Sequence, residues 1–195
     1  ILKVGDSLGL GSAAMWIDNK AERVSVTDSI TCAITANGPI QSQIRTDYYG
    51  WQAFGGGGGQ KYNLVCWLTI NAGSRLTHCK LQISGEPPNL CTGIVKSDSA
   101  AVFYNQDTTR TWQYLATYGI QSLANDRLGM AILYRQSDLL ENTADALNQV
   151  VVLKPQNGIV DYYFLAAWEK EPGGIVTLEQ FRQYLDQTVN TLDAP

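Results

Sequence analysis

The sequence is poor in the residues that most often build metal sites and basic interaction surfaces. Its 195 residues contain one histidine, His78, and four cysteines, with no C-x-x-C arrangement among them. Structural zinc sites draw on several such residues at short spacing, so we expect neither a metal nor another cofactor. No run of Lys or Arg stands out and the net charge is −4. Both observations disfavour nucleic acids and anionic membranes as partners.

Long hydrophobic runs are also missing. No apolar stretch approaches the roughly 18 residues that a membrane-spanning helix needs, and no secretory signal pattern stands at the start of the sequence. The sequence opens on Ile-Leu-Lys-Val rather than on Met, which leads us to expect a piece of a longer precursor. With 45% hydrophobic residues, the chain is long enough for one sizeable core, and a single domain over residues 1–195 is predicted.

A glycine motif near the start matches a cofactor pattern by its letters. Gly9-Leu-Gly11-Ser-Ala-Ala14 fits the G-x-G-x-x-G/A fingerprint of dinucleotide-binding turns. Such a turn follows a buried strand and opens a helix, but only residues 1–4 precede it here and no helical stripe follows. The context therefore predicts a structural role, with glycines placed where no side chain fits beside a packed sheet.

Most of the chain shows the period-two alternation of strands. Residues 40–51, for example, place Gln, Arg and Asp on one face and Ile on the other. The predicted strands are residues 29–36, 40–51, 62–70, 75–84, 126–135, 150–153 and 158–170. The five glycines Gly55–Gly59 form a predicted loop, and no G-K-[ST] follows them, which excludes a phosphate-binding P-loop.

One predicted hairpin has a specific register. Strands 62–70 and 75–84 flank the loop Asn71–Ser74, so that paired residue numbers sum to 145 and Trp67 faces His78. One face is then the core, and it holds Leu64, Cys66, Leu68, Cys79, Leu81 and Ile83. Cys66 faces Cys79 in this register, and two alternatives stay open: a cross-strand disulfide, or two buried thiols that act as small hydrophobic groups.

The period changes near the end of the chain. Thr177-Leu-Glu-Gln180 is a capping-box pattern, and Leu178, Phe181, Leu185 and Val189 follow on one helical stripe. The sequence therefore predicts a mainly β fold, an antiparallel β-sandwich, that ends in one amphipathic α-helix.

The polar face of the predicted sheet carries an unusual mixture of side chains. It holds Gln43, Arg45, Asp47, Tyr49, Trp67, His78 and Lys80. A solvated sheet face is the simple interpretation, because antiparallel sheets commonly leave one side wet. The alternative is a sugar site, in which aromatic rings stack on sugar rings, amides bond hydroxyls and Arg pairs with a uronic-acid carboxylate.

The same face has the groups that elimination across a uronic acid requires. Arg45 or Lys80 would neutralise the carboxylate, His78 or a tyrosinate would take the C5 proton, and Tyr49 or Tyr48 would protonate the leaving oxygen. Trp67, Lys80, Asp47 and Gln43 would bind the substrate. Asp47 is the only acid on this face in the predicted register, whereas a hydrolase needs two carboxylates at a defined separation. Elimination or plain binding is therefore favoured over hydrolysis.

Several segments together resemble one family. They are "GDSLGLGSAAMW", "ANGPIQSQIRTDYYGW", "INAGSRLT", "TGIVK", "LGMAILY" and "YYFLAAWEKEPGGIVTLEQFRQYL". The chain resembles the C-terminal half of domain-of-unknown-function family 4861, from bacterial polysaccharide-utilisation gene clusters. The resemblance implies a supersandwich like that of galactose mutarotase and a secreted or periplasmic location. It supplies no catalytic residues.

We therefore expect a carbohydrate-active domain that binds or acts on acidic polysaccharide or oligosaccharide, as a lyase-like enzyme or a binding module. The alternative is a structural β domain that builds an extracellular assembly or filament by strand addition. Its partners would be identical copies or the missing N-terminal half.

Overall fold

The computed structural model describes residues 4–53 and 60–194, and it is built almost entirely from strands. In chain order they are β1 (Ala14–Ile17), β2 (Lys20–Arg23), β3 (Ser29–Asn37), β4 (Gln41–Gln52), β5 (Lys61–Asn71), β6 (Thr77–Ile83), β7 (Leu90–Val95), β8 (Ala100–Tyr104), β9 (Trp112–Ile120), β10 (Arg127–Arg135), β11 (Leu139–Ala144), β12 (Asn148–Leu153) and β13 (Ile159–Trp168). A 3₁₀ turn (Gln136–Asp138) precedes β11, and the helix α1 (Leu178–Asp193) follows β13. The predicted glycine loop Gly55–Gly59 lies outside the described residues.

The strands form two antiparallel sheets packed face to face, which confirms the predicted sandwich. The small sheet has the order β11-β12-β7-β1-β2, and the large sheet has the order β3-β4-β5-β6-β13-β10-β9-β8. Buried side chains of both sheets meet in the main core, among them Met15, Ile94 and Val151 from the small sheet and Leu64 and Ile132 from the large one. We call the side of the large sheet that faces the small sheet its inner face, and the opposite side its outer face.

The helix α1 covers only part of the outer face. Phe181, Leu185 and Val189 are buried against side chains of β8, β9, β10 and β13, which confirms the predicted stripe. The predicted capping box is present too, since the Thr177 side chain accepts from the Gln180 backbone N–H and the Gln180 side chain returns the contact. No described segment covers strands β4, β5 and β6 in this way, so their outer face stays open.

The hairpin register differs from the predicted one by two residues. Trp67 pairs with Lys80 and Thr69 with His78, so paired numbers sum to 147, because the connection runs from the end of β5 at Asn71 to Thr77. A shift by two keeps every side chain on its predicted face. The predicted core side is therefore confirmed, and Leu64, Cys79 and Leu81 are fully buried there.

The shifted register also separates the two cysteines. Cys66 lies opposite Leu81, and Cys79 lies opposite Leu68, so the thiols are diagonal neighbours whose Sγ atoms are 3.8 Å apart. Both are free thiols, and burial raises the pKa of Cys79.

A β-bulge interrupts β4 close to the open outer face. The pairing with β5 changes between Tyr48 and Trp51, and Gly50 adopts a φ of 64° there. A Cβ at Gly50 would lie 2.1 Å from a carboxylate oxygen of Asp28, so both the backbone and the space require glycine.

Candidate functional site

The opening glycine motif has a packing role. It leads into strand β1 rather than a helix, so the dinucleotide-turn geometry is absent from this segment. Gly11 has a φ of 73°, and a Cβ there would lie 2.2 Å from the ring of Phe164. The Tyr162 hydroxyl donates a 2.7 Å hydrogen bond to the Gly11 carbonyl. The motif therefore lies directly on the inner face of β13.

The registers place the predicted site residues on the outer face, in two adjacent rows that cross the strands. The first, which we call the Trp67 row, is formed by Arg45, Trp67, Lys80 and Asp161. The second, the His78 row, is formed by Gln43, Thr69, His78 and Tyr163. Asp47 lies one row beyond Arg45. Tyr49 lies at the bulge and is exposed.

Two cations flank the indole of Trp67. The Arg45 guanidinium carbon is 5.4 Å from the ring centroid and the Lys80 Nζ is 5.9 Å from it, which are cation–π distances. Arg45 also makes two hydrogen bonds to Asp47, of 2.9 and 2.6 Å, and this carboxylate raises the pKa of Arg45. Within the described residues Lys80 makes no ion pair, so it is the cation that remains to receive an anion.

The single histidine is held by a residue that the sequence did not indicate. The Nε2 atom of His78 lies 2.9 Å from Oδ1 of Asp161, and its ring lies 4.7 Å from that of Tyr163. The hydrogen bond to His78 lowers the pKa of Asp161, so near neutral pH the carboxylate is ionised and accepts the bond. Nε2 is therefore the donor, and in the neutral ring Nδ1 is left with a free lone pair.

Asp161 corrects the expectation that Asp47 is the only acid on this face. In the part of the chain that the structure describes, the strands place two carboxylates on this face, but three strand spacings and two residues separate their Cα atoms, which amounts to roughly 16 Å. This exceeds the separation of about 6.5–9.5 Å between the carboxylates of inverting glycosidases. Paired carboxylate hydrolysis is therefore excluded for Asp47 and Asp161.

The predicted acid and base do not converge. Gln43 lies in the row of His78, and Tyr49 is six residues further along β4, which is roughly 20 Å at about 3.4 Å per residue. One sugar residue cannot contact both side chains. Lys80 is two residues from His78 on the same face, about 7 Å away, so Lys80 and His78 are the pair that the fold brings together.

Aromatic contacts connect the open half of the outer face to the helix-covered half. Tyr163 lies between His78 and Trp112, whose ring centroid is 5.1 Å from that of Tyr163. Arg135 lies over Trp112 at 4.6 Å. Burial raises the pKa of Tyr163, so its hydroxyl stays protonated near neutral pH.

A shallow cavity of about 390 Å³ adjoins the Trp67 row, and Arg45, Val65, Trp67 and Gln82 line it.

Among the described residues, no three His, Cys, Asp or Glu side chains are gathered closely enough to hold a metal ion. In the same residues, no helix is both long and apolar enough to span a membrane.

Comparison with known families agrees with the sequence motifs. A family model described as a domain of unknown function (DUF4861) matches residues 1–195. The chain belongs to this family. No curated protein and no solved structure gives a significant match. DUF4861 membership therefore accounts for the motifs without assigning an activity, and function has to be argued from the outer face.

Proposed function

We propose that the open half of the outer face binds an acidic, uronic-acid-containing polysaccharide. The observation that supports this best is the Trp67 row, where one indole lies between the cations of Arg45 and Lys80. An aromatic ring offers a stacking surface for the apolar face of a sugar, and an adjacent ammonium group pairs with its carboxylate. An open, shallow surface suits a long chain better than a small ligand, which usually occupies an enclosed pocket.

The polar side chains around the Trp67 row supply hydroxyl partners. Gln43 donates a 2.9 Å hydrogen bond to the Thr69 hydroxyl, and both belong to the His78 row. Asp47 holds Arg45 in place, with only 13% of its own side chain exposed. The binding surface is therefore fixed before a ligand arrives, which reduces the entropy lost on binding.

Binding is tested on polygalacturonate, rhamnogalacturonan, alginate and ulvan, with an uncharged glucan as the comparison. We expect Trp67→Ala and Lys80→Ala each to weaken binding about tenfold or more, since stacking and a charge-assisted contact each contribute about 1–3 kcal/mol. Lys20→Ala is the matched control, because Lys20 is an exposed lysine on β2 of the small sheet. Absence of binding to all four acidic polysaccharides would remove the proposal.

Elimination on the bound chain is the second candidate, and the contact between His78 and Asp161 favours it. Nδ1 of His78 would take the C5 proton while Lys80 neutralises the neighbouring carboxylate. The C4–C5 double bond would form as the C4–O bond breaks, and the leaving oxygen would take its proton from the imidazolium of His78 or from water. Absorbance of the unsaturated product follows the reaction. Activity that disappears in His78→Ala, while binding persists, supports an enzyme; binding without product in the parent protein identifies a binding module. A secreted or periplasmic location remains a prediction, which fractionation of the source cells tests.

A further inference from the structure

Strand β3 is an edge of the large sheet that lacks the usual protection against pairing. Within residues 4–53 and 60–194 it pairs with β4 on one side only, and eight of its nine residues are exposed. Natural edge strands are commonly short or carry Lys, Pro or a bulge. The sequence Ser29–Asn37 has no charge and no proline, and its bulge lies beyond Ile34. The regular stretch Ser29–Ile34 is therefore open to a further strand.

The inner face at this edge carries exposed isoleucines that no described segment covers. Ile30 and Ile34 are 56% and 71% exposed, and Ile44 beside Ile34 is 42% exposed. None of these three isoleucines is among the described side chains that pack in or against the main core between the sheets, so the small sheet does not cover them. Exposed isoleucines next to unpaired backbone groups give a pairing strand both hydrogen bonds and apolar contacts.

We propose that β3 pairs antiparallel with β3 of a second copy of this chain, in the register that places Cys32 opposite the second copy's Cys32. The two large sheets then form one sheet of sixteen strands. The contact is isologous, so it closes as a dimer and does not extend into a filament.

Symmetry restricts the register. Antiparallel strands in one sheet are related by a two-fold axis perpendicular to the sheet, which keeps each side chain on its own face. Paired residue numbers must therefore sum to an even number. In the register with the sum 64, Ile30 lies opposite the second copy's Ile34 and the reverse pair repeats it. Of the registers with an even sum, this is the only one in which both isoleucines of each copy lie opposite an isoleucine of the other copy. Cross-strand pairs of β-branched residues stabilise sheets.

The second copy would also continue the apolar surface. Ile44 pairs with Ile34 and Tyr48 pairs with Ile30 within one chain. The joined face therefore runs from Ile44 through the two central isoleucines to Tyr48 of the second copy. Tyr48 also lines a cavity of about 430 Å³ under the opening glycine segment, so the contact surface is continuous with the edge of the core.

The first test measures the mass of the chain in solution as a function of concentration, by light scattering on size-exclusion fractions. We expect twice the chain mass in the parent protein and a monomer in Ile34→Lys, which buries a charge at the contact. Ile40→Lys is the control, since Ile40 is 76% exposed in the turn before β4 and lies outside the pairing stretch. A parent protein that stays monomeric, or an Ile34→Lys variant that stays dimeric, overturns the proposal.

The second test fixes the register by cross-linking. Diamide, a mild azo oxidant, accepts two electrons and two protons from two Cys32 thiols, becomes the hydrazine and leaves a disulfide between the copies. We expect a covalent dimer in the parent protein and none in Cys32→Ser, which still dimerises. Two double variants, Cys32→Ser with Ala33→Cys and Cys32→Ser with Thr31→Cys, move the thiol by one residue. If either of them dimerises and cross-links faster than the parent protein, the Cys32-centred register is wrong.

Discussion

Nε2 of His78 lies 2.9 Å from Oδ1 of Asp161, so a carboxylate on the neighbouring strand holds the only histidine of the chain. The bond orients the imidazole and sets its tautomer. It also makes Asp161 a positioning residue for any chemistry that His78 performs.

The pair predicts a change in the titration of Asp161. Its pKa is lowered chiefly by the hydrogen bond from His78, so His78→Ala should raise that pKa towards the ordinary value near 3.9. A lowered folded-state pKa stabilises the protein above the unfolded value, and this contribution is lost as the pH falls through the folded value. We therefore expect the contribution of Asp161 to the free energy of unfolding to fall less at acid pH in His78→Ala than in the parent protein.

Carboxyl-carbon NMR over an acid titration measures this directly. Asp107 is the internal control, because its pKa is lowered by bonds from Thr109 that His78→Ala leaves in place. Identical Asp161 titrations in parent and variant would contradict the assignment.

Gly11 predicts a large difference between two glycine substitutions. Gly11→Ala forces a left-handed φ on alanine and drives a methyl group into the Phe164 ring. Gly5→Ala has a similar φ of 57°, but no atom of the described residues lies within 4 Å of the added methyl group. The conformational cost is about 1–2 kcal/mol in both, and overpacking adds about 1–3 kcal/mol at Gly11 alone. Urea unfolding midpoints measure the difference, and equal midpoints would show that the segment does not pack on Phe164.

Asp126 predicts an acid-sensitive loop. Hydrogen bonds from Ser122, Lys170 and Trp168 lower its pKa to about 2. The stabilisation is therefore complete above the unfolded pKa and is lost as the pH falls from about 4 to about 2. Asp126→Asn should lower stability at neutral pH and flatten the acid dependence, as followed by urea unfolding from pH 7 to pH 2. Asp98→Asn, at an exposed loop position, should reproduce the parent curve.

Substitutions in and next to the helix α1 should lower the stability of the protein by different amounts. Phe181 is fully buried and lies on Gly129, where a Cβ would be 2.7 Å from its ring. Phe181→Ala should therefore cost about 3–5 kcal/mol, and Thr177→Ala about 1 kcal/mol through loss of the cap. Gln187→Ala, on the exposed side of α1, should be near neutral. Thermal unfolding gives the order, and a mild Phe181→Ala would mean that α1 is not a structural cover.

Local patterns in the sequence were sufficient for the elements that depend on near neighbours. Alternation identified the β4 face that holds Gln43, Arg45 and Asp47, and the capping box placed the start of α1 at Leu178. The predicted hairpin register was wrong by two residues, because the connection between β5 and β6 is longer than the tight loop Asn71–Ser74 that the sequence favours.

Contacts between distant strands were not predictable from the sequence. Asp161 was missed because nothing in the sequence says that β13 pairs with β6, a separation of about eighty residues. The exposure of Ile30 and Ile34 was hidden for a similar reason: alternation tells which residues share a face, but not whether another sheet covers it.

The bulge at Gly50 changes which residues of β4, odd-numbered or even-numbered, point outward. Odd-numbered residues of β4 point outward up to Asp47, whereas Trp51, also odd-numbered, points into the core. A regular ladder of the same length would place the buried indole of Trp51 on the outer face and Gln52 on the core side, whereas the extra residue of the bulge keeps Trp51 opposite Tyr62 in the core. The bulge therefore lets one strand serve two surfaces: Arg45 and Asp47 lie on the open outer face, and a few residues later Trp51 closes the end of the core.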